Sequence, residues 1–297
     1  MTKSKDSIFE RFLAPLFHIL LDQPELQSRY AQTDWTAARE RWEDLSLVYP
    51  SYYQNQTYHS IAQGYLSPEA AVTYDPITEW VIVPHEAWVR QSLIDRVQGW
   101  PRRILDLGCG TGTQSLMLKQ AFPSAQVTGI DLSPYMLFMA EHKAQQAHQI
   151  ITWKHGDVQH VSLEANCFDV ITAALLFHET PPSVTQQILR EAFRLLTPGG
   201  QILILDANQE TLRGLPWLQD LFEEPYIEAY ASGWIEDWLE LAGFVTISTE
   251  NQWWASQLTW AMKPLPSQSR TQSVFVGISP DERERLYDLP SYPLNPA

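Results

Sequence analysis

The sequence predicts an α/β fold: a Rossmann-like, doubly wound, seven-stranded and mostly parallel sheet with an N-terminal, mainly helical cap. Three observations carry that expectation. From Pro101 onward, apolar runs of strand length alternate with segments of helical periodicity, the pattern of a parallel sheet covered on both faces. The first run, Arg103-Ile-Leu-Asp-Leu107, breaks into Gly108-Cys109-Gly110-Thr111-Gly112, and apolar residues then resume at helical spacing (Leu116, Met117, Leu118, Ala121). A second apolar run, Gln126-Val-Thr-Gly-Ile-Asp131, ends in a carboxylate about nineteen residues further on.

The remaining elements follow in order. Strands are expected at 103–108, 125–131, 150–155, 168–176 and 200–206, with further β-like runs at 244–250 and 257–263. Helices are expected at 113–121, 134–147, 183–196 and 234–242. Ser133-Pro134 supplies an N-cap and a first-turn proline, and Pro198-Gly199-Gly200 ends the helix before the fifth strand. These elements define a core over 101–263, with a substrate-side insert at 207–233. A cap or lid is expected over 1–100, and a Pro- and Ser-rich tail over 264–297 whose apolar run is Val274-Phe275-Val276. Phe9, Phe12, Leu13, Leu16 and Leu20 recur as one helix face, either packed over the core or lying against a lipid interface.

The glycine turn sets the ligand. Glycines let a backbone approach a ligand closely and expose amides at a helix N-terminus. Asp131 is placed to accept hydrogen bonds from both hydroxyls of a ribose. The dinucleotide fingerprint needs glycines as G-x-G-x-x-G, whereas here they fall at 108, 110 and 112 behind Asp106. A fixed carboxylate there would repel a pyrophosphate and suit an ammonium or sulfonium group. S-adenosylmethionine fits those demands better than a dinucleotide. Cys109 reads as a small space-filling residue of the turn.

Composition excludes several partners. Net charge is −15, and residues 101–262 carry 18 acidic against 8 basic side chains. Such a surface repels nucleic-acid phosphates and anionic lipid head groups, so neither is an expected partner. Cys109 and Cys167 cannot make a disulfide framework, which fits a reducing, cytoplasmic setting. No apolar run has transmembrane length, and Asp6, Glu10 and Arg11 break any secretory leader. No metal-ligand spacing stands out, so no metal is expected.

On these residues the chain resembles the class I S-adenosylmethionine-dependent methyltransferases. Leu105-Asp-Leu-Gly-Cys-Gly-Thr-Gly112 is similar to their first motif, and Gly129-Ile-Asp-Leu-Ser-Pro-Tyr-Met-Leu137 to their second. Leu195-Leu-Thr-Pro-Gly-Gly-Gln-Ile-Leu203 and Leu241-Ala-Gly-Phe244 resemble later landmarks. The resemblance implies a donor site of Asp106, Gly108, Cys109, Gly110, Gly112, Asp131, Leu132, Asp157, Val158 and Leu175, with Asp157 beside the adenine amino group. It implies S-adenosylhomocysteine as product. Within the family the chain is similar to the ubiquinone/menaquinone-biosynthesis type and its plastid-type relatives. Those share a segment like Pro50-Ser-Tyr52-Tyr53…His59…Gly64-Tyr-Leu66…Ala70-Ala71, which suggests that 45–75 belongs to the catalytic unit.

Methyl transfer asks for in-line positioning, exclusion of water and a deprotonated nucleophile. His178, in Phe177-His178-Glu179 after the fourth strand, is the first candidate base, at the carboxyl edge where open α/β sheets bind ligands. His59, near Tyr52 and Tyr53, is the second. Of 12 tryptophans, five (Trp35, Trp42, Trp80, Trp88, Trp100) precede the core, and Trp217 lies in the insert, which favours a small apolar or aromatic acceptor over a peptide. Two other classes stay open at this stage: a non-catalytic binding or assembly protein, and an NAD-dependent oxidoreductase.

Overall fold

The computed structural model describes residues 21–266, apart from 55, 59, 60, 63, 83 and 223. The apolar helix face at 9–20, His59 and the tail from 267, with its 274–276 run, lie outside the described residues. The chain opens with helices α1 (Gln23–Gln32), α2 (Trp35–Trp42) and α3 (Ser51–Gln54). Next come two short antiparallel strands, β1 (Thr57–Tyr58) and β2 (Ile61–Ala62), which sequence periodicity did not reveal. Helices α4 (Pro68–Val81) and α5 (Glu86–Asp95) complete this region. Local chemistry sets the helix starts. Asp22, Asp34 and Ser67 each accept a first-turn amide, and Pro24 and Pro68 supply pre-set φ angles.

The sheet follows. Its strands are β3 (Arg103–Leu107), β4 (Gln126–Asp131), β5 (Thr152–His155), β6 (Phe168–Ala174), β7 (Leu196–Ala207), β8 (Val245–Gln252) and β9 (Ser256–Met262). They lie in the order β5-β4-β3-β6-β7-β9-β8, all neighbours parallel except that β9 runs antiparallel to both β7 and β8. Intervening helices are α6 (Thr113–Ala121), α7 (Pro134–Gln146) and α8 (Pro182–Leu195). The insert folds as α9 (Gln209–Gly214), α10 (Pro216–Phe222) and α11 (Ile227–Ser232), and α12 (Ile235–Leu241) leads into β8. Strand order reverses between β3 and β6, which opens a crevice at their carboxyl ends.

Period-2 alternation puts the two sheet faces into two cores. Leu105, Leu107, Ile171 and Ile204 pack with the Ile188–Leu189–Leu195 stripe of α8 on one face. Ile104, Val127, Val170 and Leu203 pack with Leu118 and with Val89, Leu93 and Ile94 on the other. Helix α5, which the sequence places in the cap, therefore belongs to the sheet's own core. One boundary also differs from the sequence expectation. β7 begins at Leu196, directly after α8, and carries Pro198-Gly199-Gly200 inside it. A register shift against β6 between Phe168 and Val170 absorbs the extra length, and Gly199 takes φ +79°. Lys263 places its ammonium 2.7 Å from the Phe193 carbonyl and 2.8 Å from that of Leu196, which closes the α8 C-terminus.

Candidate active site

The chain leaves β3 through Gly108, Gly110 and Gly112 at φ +62°, +52° and +77°, angles that cost glycine little and other residues more. A Cβ on Gly112 would lie 2.6 Å from Trp153, and one on Gly108 2.9 Å from Leu176. A Cβ on Gly110 would meet nothing closer than Tyr74 at 3.8 Å, so this is the face a ligand can approach. Cys109 turns inward against Ala140 and Trp153, where burial pushes its thiol up and keeps it unreactive.

Asp131 stands at the end of β4. Its carboxylate accepts the Gly110 amide at 2.8 Å and the Ser133 amide at 2.8 Å. Burial, helped by the nearby Asp106 charge, pushes its pKa up to about 6 against the pull of these amides. Leu132 follows, and its carbonyl accepts from His155 Nε2 at 2.8 Å, while His155 Nδ1 accepts the Asp44 amide at 2.9 Å. A neutral histidine thus ties the Leu132 backbone to the N-terminal helices. Val158 is buried and lines the same cavity, but the Asp157 carboxylate is turned onto Gln159, accepting its amide at 2.9 Å and its side chain at 2.9 Å. Leu175 adopts φ +59°, strained for a branched side chain, and its amide donates to the Leu205 carbonyl at 2.8 Å.

A cavity of about 70 Å³ extends from Gly108, Gly110 and Asp131 to a wall of Tyr52, Tyr53, Tyr65 and Tyr74. Burial pushes all four phenols above their ordinary range, so they remain neutral donors. Glu179 lines the far end. Its pKa is raised well above the carboxylate range by burial and by the neighbouring Glu224. His178 stands behind it. Its Nδ1 lies 2.6 Å from Asp206 Oδ1, its Nε2 lies 3.9 Å from Glu179, and its ring meets Tyr230 edge-on. Burial works against charging this ring, but the Asp206 carboxylate outweighs it and holds the pKa at about 9. Asp206 is itself fixed by the Phe177 and Ala207 amides at 2.7 and 2.8 Å. One ligand atom each from His178, Glu179 and Glu224 lies within 4.8 Å of the others, a cluster that sequence spacing did not reveal.

Asp106 is 1% exposed, with one oxygen on Ser115 Oγ at 2.6 Å and the other on Thr172 Oγ1 at 2.7 Å. Of the expected donor residues, Gly108, Gly110, Asp131, Leu132, Val158 and Leu175 line this cavity, whereas Asp106, Cys109, Gly112 and Asp157 do not. Sequence reasoning missed Tyr74, Asp75, Arg90, Gln114, His155 and Asp206. Asp75 of α4 accepts Thr111 Oγ1 at 2.5 Å and pairs with Lys143 at 2.7 Å, so a helix from before the core closes over the turn. Apart from Arg90, none of these belongs to a local pattern. Only Arg90, four residues after Glu86 on one helix face, left a trace in the sequence.

This arrangement is that of a class I methyltransferase fold, and residues 104–200 match the family described as methyltransferase domain. Among curated proteins the chain is similar to a demethylmenaquinone methyltransferase of Thermus thermophilus, 34% identical over 119 residues, 40% of this chain and 53% of that one. A demethylmenaquinone methyltransferase of Anoxybacillus flavithermus is 28% identical over 52% of this chain and 68% of its own length. The chain spans about half the length of the first of these relatives. Among solved structures, the S-adenosylmethionine-dependent methyltransferase SibL aligns at TM-score 0.54 and 19% identity, covering 86% of this chain and 76% of that one. Phosphoethanolamine N-methyltransferase 2 of Haemonchus contortus, solved with S-adenosyl-L-methionine, aligns at 0.52 and 18% over 67% and 58%. At such identities the likeness is one of fold. No helix among the described residues is long and apolar enough to cross a membrane.

Proposed function

We propose that this protein transfers a methyl group from S-adenosylmethionine to a small acceptor with an apolar or aromatic, quinone-like body. The observation that carries this reading is one continuous cavity with a nucleoside-binding end and a tyrosine-walled end. The residues fit the donor. Gly110 leaves an open backbone face, and Asp131 offers its carboxylate to a ribose. When bound, the donor supplies a methyl already activated by its sulfonium. The protein's part is placement. Met136 and Val158 wall the base site, and the Tyr52–Tyr74 wall excludes water from the acceptor.

Glu179, facing the cavity with a raised pKa, takes the acceptor's proton. His178 is clasped by Asp206 behind it, so it positions Glu179 and supports its charge after the proton arrives. The N-terminal helices and the insert form a lid over this end: the Tyr226 hydroxyl donates to the Tyr52 carbonyl at 2.8 Å. The names of the Thermus and Anoxybacillus relatives support a quinone-like acceptor. The site is read as working in the cytoplasm, without nucleic acid. Titration with S-adenosylhomocysteine and NAD, followed by transfer of labelled methyl into an extract, tests the reading. Binding of NAD in preference, or donor binding with no labelled product, would overturn it.

A further inference from the structure

The cavity of about 70 Å³ is smaller than the roughly 300–1,000 Å³ of small-molecule sites, so one of its walls moves to admit a nucleoside. Four wall residues, Tyr52, Tyr53, Tyr65 and Tyr74, come from the N-terminal region. Ties from that region to the core include Arg41 to Glu141, Asp75 to Lys143, and the loop after α2 to His155. Of these, the last is made by a histidine, which a proton near neutral pH can undo. His155 ends β5 and is 6% exposed. Its Nε2 lies 2.8 Å from the Leu132 carbonyl and 3.3 Å from the Tyr49 hydroxyl, and its Nδ1 accepts the Asp44 amide at 2.9 Å. An amide N–H can only donate, so Nδ1 is bare and Nε2 carries the proton given to Leu132. A second proton would set one N–H against another in a buried place. At the inner end of this tie, Leu132 lines the cavity directly after Asp131.

We propose that His155 is a positioning residue, a latch that holds the N-terminal helices closed over the donor site while its ring is neutral and releases them when Nδ1 gains a proton. This rests on the reading of the cavity as the S-adenosylmethionine site. The groups facing the ring are Glu43, Asp44 and Tyr49 from the loop after α2, and Asp131, its register partner on β4, whose carboxylate is taken by the Gly110 and Ser133 amides. Burial pushes the His155 pKa below the ordinary 6.5, against the Leu132 carbonyl and the Asp44 and Glu43 carboxylates. Burial also keeps the Tyr49 phenol neutral, its pKa pushed up to about 12. Since the folded value lies below the unfolded one, the latch contributes fully above pH 6.5 and is lost as pH falls through the folded pKa. Hydrogen exchange on ligand-free protein, read by mass spectrometry and corrected for intrinsic rates, tests it directly. Between pH 7 and pH 5, protection over 43–54 should fall about 3- to 10-fold, the loss of a neutral hydrogen bond, while β3 keeps its protection. His155→Phe keeps the ring's bulk without either bond, so the same segment should be poorly protected at both pH values. The variant should also release S-adenosylhomocysteine about 3- to 10-fold faster at pH 7, with a smaller further rise at pH 5 than the wild type shows. Equal acceleration by acid in both proteins would assign it to Asp131 and overturn the latch's action on the donor. Protection over 43–54 that ignores pH in the wild type would overturn the latch itself, whether or not the variant folds. Wild-type protein with pH-dependent protection but no affinity for S-adenosylhomocysteine would instead overturn the donor reading.

Discussion

Asp131 keeps a charge at neutral pH that its surroundings resist. Its folded pKa of about 6 lies above the ordinary carboxylate value, so the folded protein holds the proton more tightly than the unfolded chain. Ionisation therefore costs stability as pH rises from about 4 to about 6. The cost is repaid only by a ligand that uses the carboxylate. Asp131→Ala should weaken S-adenosylhomocysteine by about 1.5–3 kcal/mol, the range for hydrogen bonds to a charged group. Wild-type affinity should also fall as pH drops through about 6. Calorimetric titration at pH 5 and 7 checks both, and an unchanged affinity in the variant removes the ribose assignment. His178 runs the other way. Its pKa is raised from 6.5 to about 9, so its stabilisation is complete below pH 6.5 and is lost as pH rises through about 9. Asp206→Asn should flatten that slope in urea unfolding measured from pH 6.5 to 9. A ring already protonated at neutral pH is a poor base. Glu179→Gln is accordingly expected to lower turnover 10²–10⁴-fold with donor affinity nearly intact. If the rising limb of the pH–rate profile vanishes in His178→Ala and persists in Glu179→Gln, the roles are reversed.

At the scale of elements, the parallel sheet was legible because its central strands β3, β6 and β7 are buried on both faces and α8 carries an apolar stripe. Leu105 and Leu107 alternate with Ile104 across the sheet, and Val184, Ile188, Leu189, Ala192 and Leu195 fall on one side of α8. The glycine turn was legible because its backbone angles demand glycine. The Thr57–Ala62 hairpin was not, since two residues per strand give no periodicity. Residues acting on the site from afar were equally hidden: Asp75 lies 36 positions from Thr111, and Tyr226 lies 174 positions from Tyr52. Such contacts come from packing of the N-terminal helices on the core. That packing gives a prediction of its own. Tyr226→Phe deletes one bond between the two halves of the lid, the insert and the N-terminal helices, so it should raise the acceptor KM several-fold, as loss of a neutral hydrogen bond would, and leave donor affinity unchanged. Initial-rate kinetics in both substrates measure this, and an equal effect on both would place Tyr226 outside the lid.

For the whole molecule, the question is where the lid ends and the sheet's own fold begins. Val89, Leu93 and Ile94 of α5 are 2%, 0% and 4% exposed, packed against Ile104, Leu118 and Leu203. Each such side chain is worth about 1.5–3 kcal/mol of burial, so α5 supplies a sum comparable to the 5–15 kcal/mol by which whole domains are stable. The N-terminal helices and the loop after α2 are tied to the core by polar contacts: Asp44 to His155, Asp75 to Lys143, and Arg41 to Glu141 at 2.7 Å. A chain beginning at Pro84 should therefore fold, because it keeps α5 and, apart from Ile82, the buried residues of both sheet cores. It should bind S-adenosylhomocysteine more weakly, since the Leu132 tether and the Tyr74 wall are gone, and it should transfer no methyl. A chain beginning at Gly99 also lacks α5 and should fail to unfold cooperatively. Thermal unfolding, calorimetric titration and labelled-methyl transfer on the two truncated chains decide the matter. Full activity in the Pro84 chain would make the N-terminal helices an accessory, and cooperative unfolding of the Gly99 chain would return α5 to the lid.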